Sequence, residues 1–165
     1  MKRRFATVTT SIVVVVIFVS SCGKENGLST HHHTFGTAIN CMDGRTQEAA
    51  MAYLRENHGV DHVDAITEPG PCRILADNTD EAVIANIKKR VGISVHKHHS
   101  RVIAVIAHPE CAGNPVDKEE QLGHLRMAYA TVEGFGFTGV EIILLWVNND
   151  FKTVERIPAP ALQVQ

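Results

Sequence analysis

The run Val102-Ile103-Ala104-Val105-Ile106-Ala107 contains no polar side chain, and the stretch from Val140 to Val147 is nearly as apolar. A strand with one wet face alternates, whereas one that is apolar at every residue is buried on both faces, as in the middle of a parallel sheet. Parallel strands need long crossovers, usually helical, and the chain supplies them in alternation with further strands. Gly36 to Cys41 reads as a first strand. Thr46 to Asn57 reads as a helix with Ala49, Ala50, Tyr53 and Leu54 on one side and Gly59 as its stop. Val63 to Thr67 is a short second strand, and the Glu68-Pro69-Gly70-Pro71 segment after it reads as a rigid loop. A second helix is expected from Asn78 or Thr79, with Val83, Ile84, Ile87 and Val91 at helical spacing, running to His98 or breaking at Gly92. After the strand from Arg101 to Ala107, Asp117 and Glu120 form a capping-box pattern that opens a third helix, with Leu122, Leu125, Tyr129 and Val132 facing inward. Phe151 to Ile157 is a candidate edge strand. The expected class is α/β, a three-layer α-β-α arrangement around a mostly parallel central sheet of about four to five strands.

The 165 residues suit one domain with a real core. A formal net charge of -2 leaves no basic footprint for nucleic acid. The first residues stand apart from the fold. Lys2-Arg3-Arg4 precedes a continuous apolar run from Ile12 to Val19, too short for a spanning helix but suited to a secretory signal. Val19-Ser20-Ser21-Cys22 resembles a bacterial lipobox, which implies acylation at Cys22 and an exported, membrane-anchored lipoprotein. The expected organisation is a signal over 1–21, a flexible tether over 22–34 that includes His31-His32-His33, and a single α/β domain over 35–165.

Setting Cys22 aside leaves Cys41, Cys72 and Cys111, an awkward number for a disulfide framework in an exported protein. Two of the three lie in short clusters, Cys41-Met42-Asp43-Gly44-Arg45 and His108-Pro109-Glu110-Cys111, each closing a strand. Sites in open parallel sheets form beyond the carboxyl ends of the strands. Two thiolates and an imidazole brought together there make a three-protein-ligand set for zinc, with a fourth position left for chemistry. The thiolates cancel the charge of the ion, so a nearby proton acceptor would help a bound water ionise. Asp43 is placed for that task, and Arg45 can hold its carboxylate by a bidentate pair that keeps it out of the fourth position.

The Cys-x-Asp-x-Arg and His-x-x-Cys clusters, in this strand context, resemble the beta-class carbonic anhydrases over roughly Phe35 to Val147. The resemblance implies Cys41, His108 and Cys111 as ligands of Zn2+ and Asp43–Arg45 as the catalytic dyad. It further implies hydration of carbon dioxide to bicarbonate by a zinc-bound hydroxide, and a homodimer or higher homo-oligomer. The family's Asp-Cys-Gly turn after the metal histidine is replaced here by Pro109-Glu110-Cys111-Ala112-Gly113-Asn114, and no counterpart of its N-terminal helical arm or of its pocket Gln and aromatic residues is recognisable. Hydrolysis of carbonyl sulfide or carbon disulfide, a noncatalytic zinc site closed by Asp43 or Cys72, and a Cys41–Cys111 redox pair are the competing readings. Cys72 reads more simply as a small buried hydrophobe, His124 as a surface or core histidine, and His96, His98 and His99 as a polar helix end rather than a proton relay. Glu110 is open between solvent and a supporting role.

Overall fold

The computed structural model describes residues 33–160; the signal segment, Cys22 and most of the expected tether lie outside the described residues. Five strands form one sheet in the order β2-β1-β3-β4-β5. They are β1 (Phe35–Cys41), β2 (His62–Glu68), β3 (Val102–Ala107), β4 (Glu141–Val147) and β5 (Val154–Ile157). The first four are parallel and β5 returns antiparallel to β4. The α/β class and the mostly parallel sheet are therefore as the sequence reads. β3 sits in the centre with all six residues buried, the consequence of its unbroken apolar run.

The chain order dictates which face each helix covers. The step from β1 to β2 moves one way across the sheet, and the steps from β2 to β3 and from β3 to β4 move the other way. Right-handed crossovers of opposite direction place their helices on opposite faces. Accordingly α1 (Gly44–His58) buries Ala49, Ala50 and Leu54 against Ala38, Ala104, Ile106 and Leu145. On the other face α2 (Pro71–Asp77), α3 (Glu81–Lys97) and α4 (Lys118–Glu133) bury Leu75, Ile87, Val91, Leu125 and Val132 against Ile39, Ile103, Val105 and Leu144. The order in which strands are added reverses between β1 and β3, which run parallel, and that is the position at which open α/β sheets make their sites.

Three local outcomes refine the expectations. The rigid loop after β2 ends sooner than expected, because Pro71 starts α2 at a position where a missing N–H costs nothing. Gly92 does not break α3, which is capped by the Asp80 carboxylate accepting from the Val83 amide and runs through to Lys97. The expected edge strand shortens to β5, since residues 148–153 form a turn in which Asp150 accepts from the Lys152 and Thr153 amides. Gly59 ends α1 in the left-handed conformation and Asp117 caps α4 through the Glu120 amide, both as read. Thr34, placed in the expected tether, is fastened to Asp61 through both its amide and its hydroxyl. No helix among the described residues is long and apolar enough to cross a membrane.

Candidate metal centre

Cys41 is the last residue of β1, and its parallel neighbour β3 ends at Ala107, immediately before His108. The register Ile39↔Val105 brings the ends of both strands level, so the two clusters meet at the carboxyl edge of the sheet. Cys41, His108 and Cys111 are all buried, and their ligand atoms lie within 4.8 Å of one another. The two sulfurs are 3.8 Å apart. That is far too long for a disulfide, and both thiols are free. It equals the spacing of two sulfurs each bound to one tetrahedral ion at about 2.3 Å, roughly 3.8 Å.

The histidine is poised in the same sense. His108 Nδ1 lies 2.8 Å from the Pro109 carbonyl oxygen and donates to it, which leaves Nε2 as the lone-pair nitrogen. Nε2 is fully buried and has no hydrogen-bond partner. An orphaned polar atom of this kind costs about 1–3 kcal/mol, and ligation would relieve it. Hydrogen bonding from the Cys111 thiol holds Cys41 well below the usual thiol range, while Cys111, donor to that thiolate, is pushed up. The pair thus shares a proton that a soft divalent ion would displace. This donor set fits zinc: a buried Cys-His-Cys triad with a preset tautomer and tetrahedral sulfur spacing.

Local hydrogen bonds explain how the sequence makes the first corner. Buried Asn40 accepts from the Cys41 amide at 2.8 Å and from the Thr46 hydroxyl at 3.2 Å. Gln47 Nε2 donates to the Cys41 carbonyl at 2.6 Å. The chain therefore turns from β1 into α1 at a fixed angle, with Asp43 at the N-cap. Asp43 Oδ1 accepts from the Arg45 amide at 3.0 Å, so the carboxylate caps the start of α1. The same carboxylate also takes the Arg45 guanidinium bidentately, with Nη2 to Oδ2 at 2.8 Å and Nε to Oδ1 at 3.1 Å. That charge-assisted pair lowers the Asp43 carboxyl to about 2.

The second corner depends on a close passage of two backbones. A Cβ on Gly70 would sit 2.5 Å from the Gly113 carbonyl carbon, and one on Gly113 would sit 2.5 Å from the Pro69 carbonyl oxygen. Gly70 is in the left-handed region as well, at φ 64°. The loop after β2 can therefore lie directly on the loop after β3 only because neither residue has a side chain. Asn114, fully buried, ties the same loop down: its Nδ2 donates to Cys72 Sγ at 3.4 Å and its Oδ1 faces His124 Nδ1 at 3.2 Å. Cys72 is thus a buried thiol outside the triad, with burial pushing it up to about 11. His124 supports a loop.

Glu110, open in the sequence between solvent and a supporting role, meets Arg45, and Phe151 enters the site unforeseen. Arg45 Nη1 donates to Glu110 Oε2 at 2.8 Å, and the Arg45 Cζ lies 4.2 Å from the centroid of the Phe151 ring. That ring is also 6.3 Å, centroid to centroid, from the imidazole of His108. Phe151 reads in sequence only as the start of an edge strand, and nothing local to it points to Arg45. His96, His98 and His99 lie before β3, at the opposite end of strands about 20 Å long. There His98 pairs with Asp64 at 2.8 Å and His96 packs edge-on against Phe137. A cleft of about 630 Å³ at that end is lined by His33, Phe35, His58, His98 and His99 and is remote from the triad.

Among solved structures, the fold is similar to that of the carbonic anhydrase from Streptococcus mutans, at 18% identity, a TM-score of 0.51, and coverage of 77% of this chain and 84% of that one. A beta-carbonic anhydrase of the fungal pathogen Aspergillus fumigatus aligns at 14% identity and a TM-score of 0.48, over 80% of this chain and 78% of that one. At these identities the likeness concerns the fold. A comparison with curated proteins returned no match. A family model described as "Putative carbonic anhydrase" matches residues 31–157, which contain both clusters and all five strands. On that match over most of its length, and with a buried Cys-His-Cys triad at the β1/β3 edge, the chain belongs to this carbonic anhydrase family.

Proposed function

We propose that the chain is a zinc-dependent carbonic anhydrase, with Cys41, His108 and Cys111 as the metal ligands, converting carbon dioxide and water to bicarbonate and a proton. The observation that carries the reading is the triad itself: sulfurs 3.8 Å apart beside a buried imidazole nitrogen without a partner. When bound, zinc would act as a Lewis acid that brings the pKa of a water down from 15.7 to around 7. The residues of the chain do the rest. The Pro109 carbonyl fixes the His108 tautomer. Arg45 occupies both oxygens of Asp43, which would keep the carboxylate from becoming a further ligand of the ion. A carboxylate held near 2 is too weak a base to retain a proton at neutral pH. Asp43 therefore serves as a fixed hydrogen-bond acceptor that orients water, and the released proton passes on to solvent buffer.

Stopped-flow hydration by zinc-loaded protein tests the proposal. Asp43→Asn, which replaces an accepting oxygen by an N–H donor, is expected to lower the rate roughly a hundredfold. A wild-type rate no better than that of the variant overturns the reading, and turnover of carbonyl sulfide or carbon disulfide in its place would redirect it. The reading includes export and acylation at Cys22, for which the Val19-Ser20-Ser21-Cys22 sequence is the support. Palmitate labelling in a bacterial host checks this: the label should disappear with Cys22→Ser, and its persistence would rule the anchor out.

A further inference from the structure

We propose that Glu110 and Phe151 are positioning residues for Arg45, which together with Asp43 form a clasp across three loops at the mouth of the site. The inference rests on the proposed catalytic reading only for its kinetic arm. The guanidinium is held on three sides. Asp43, from the turn after β1, takes Nε and Nη2. Glu110, from the loop after β3, takes Nη1 at 2.8 Å. Phe151, from the turn between β4 and β5, lies under the guanidinium plane at 4.2 Å. A carboxylate thus meets each of the three guanidinium nitrogens and an aromatic ring lies against the Cζ, contacts that together restrict a planar cation.

Both added partners sit in unusual backbone. Glu110 has φ 55° and Phe151 has φ 54°, in the left-handed region that side-chain-bearing residues avoid. Glycine would be easier at either position, yet a glycine could not reach Arg45 from either. In each case the conformation delivers a side chain to the same guanidinium. Glu110 is also confined by its place in the chain, since both ligands of its loop, His108 and Cys111, flank it. Its carboxylate is well exposed, at 73%, and Arg45 is 45% exposed, so no single contact here is strong. Immobilisation comes from the three acting together. The consequence is specific: a guanidinium free to swing would release Asp43, whose carboxylate could then rotate toward the metal.

The test combines side-chain NMR with kinetics on zinc-loaded protein. In wild type the Arg45 Nε–H group is expected to show the heteronuclear NOE of a rigid site. It should fall toward that of a mobile side chain in Glu110→Gln and in Phe151→Leu, with backbone amide spectra unchanged outside the three loops. Each substitution should lower kcat by about two- to fivefold, the range of an exposed ion pair or cation–π contact, and the pair by about tenfold. In an Arg45→Ala background the same substitutions should change kcat by less than about 1.5-fold, because their effect passes through Arg45. A rigid Arg45 in both variants overturns the proposal, as does a kcat loss undiminished in the Arg45→Ala background. If wild type does not hydrate carbon dioxide, the catalytic reading fails while the NMR arm still decides the clasp.

Discussion

Asp43 carries two jobs at one position, helix cap and held carboxylate, and its ionisation separates them from chance. The guanidinium of Arg45 lowers its carboxyl to about 2, below the ordinary value near 3.9. A group depressed in the folded state stabilises it above its unfolded pKa, and that contribution is lost progressively as pH falls below about 4 and through about 2. The wild-type Asp43 carboxyl carbon should therefore keep a constant chemical shift from pH 7 down to 4. In Arg45→Ala it should begin to move by about pH 5, as an unpaired carboxyl does. A wild-type midpoint above 4 would show that Arg45 does not hold it. The convergence of Cys41, His108 and Cys111 and the Asp43–Arg45 pair were legible because each lies within a few residues of a strand end, where spacing alone places side chains. Phe151 and Asn114 were not, and Glu110 stayed open between solvent and support, because their contacts span 106, 42 and 65 positions along the chain, to Arg45, Cys72 and Arg45 respectively.

At the scale of elements, unbroken apolar runs made β3 and β4 readable, and capping residues made α1 and α4 readable. The helix α2 was hidden because Pro69-Gly70-Pro71 signals a break, and its restart at Pro71 depends on packing against the chain around Leu75 and Thr131. That short helix matters, since the loop leading into it lies against the loop bearing Cys111. The two touch at Gly70 and Gly113, where a Cβ would meet backbone atoms that cannot swing aside. Gly113→Ala should thus force the loops apart, destabilising the protein by about 2 kcal/mol or more. Because Gly113 follows Cys111 by two residues, zinc affinity should fall with it. Gly123→Ala, at a helical position with nothing within 4 Å, is the control and should be neutral or slightly stabilising. Urea unfolding with zinc titration would check both, and equal behaviour of the two variants would mean that the loop contact does not shape the site.

For the whole molecule, the triad joins the two strands on which the sheet is built. β1 and β3 are neighbours at the point where strand order reverses, with helices of opposite faces leaving from their carboxyl ends. An ion held by Cys41 on one side and by His108 and Cys111 on the other would therefore staple the centre of the fold rather than a peripheral loop. Metal bound to the native state alone stabilises it by mass action, about 4 kcal/mol when free zinc exceeds the dissociation constant a thousandfold. For a chain of this size that corresponds to a shift of roughly 10 °C in the unfolding midpoint. Chelation should accordingly lower Tm by about that amount. It should also leave Cys41 and Cys111, already in contact at 3.8 Å, open to closure as a disulfide under an added oxidant such as diamide. Cys72 should stay reduced, being fully buried and held up at about 11. Calorimetry with and without chelator, followed by peptide mapping after oxidation, measures both effects. An unchanged Tm, or a bridge that includes Cys72, would mean that the triad is not the metal-dependent centre of this fold.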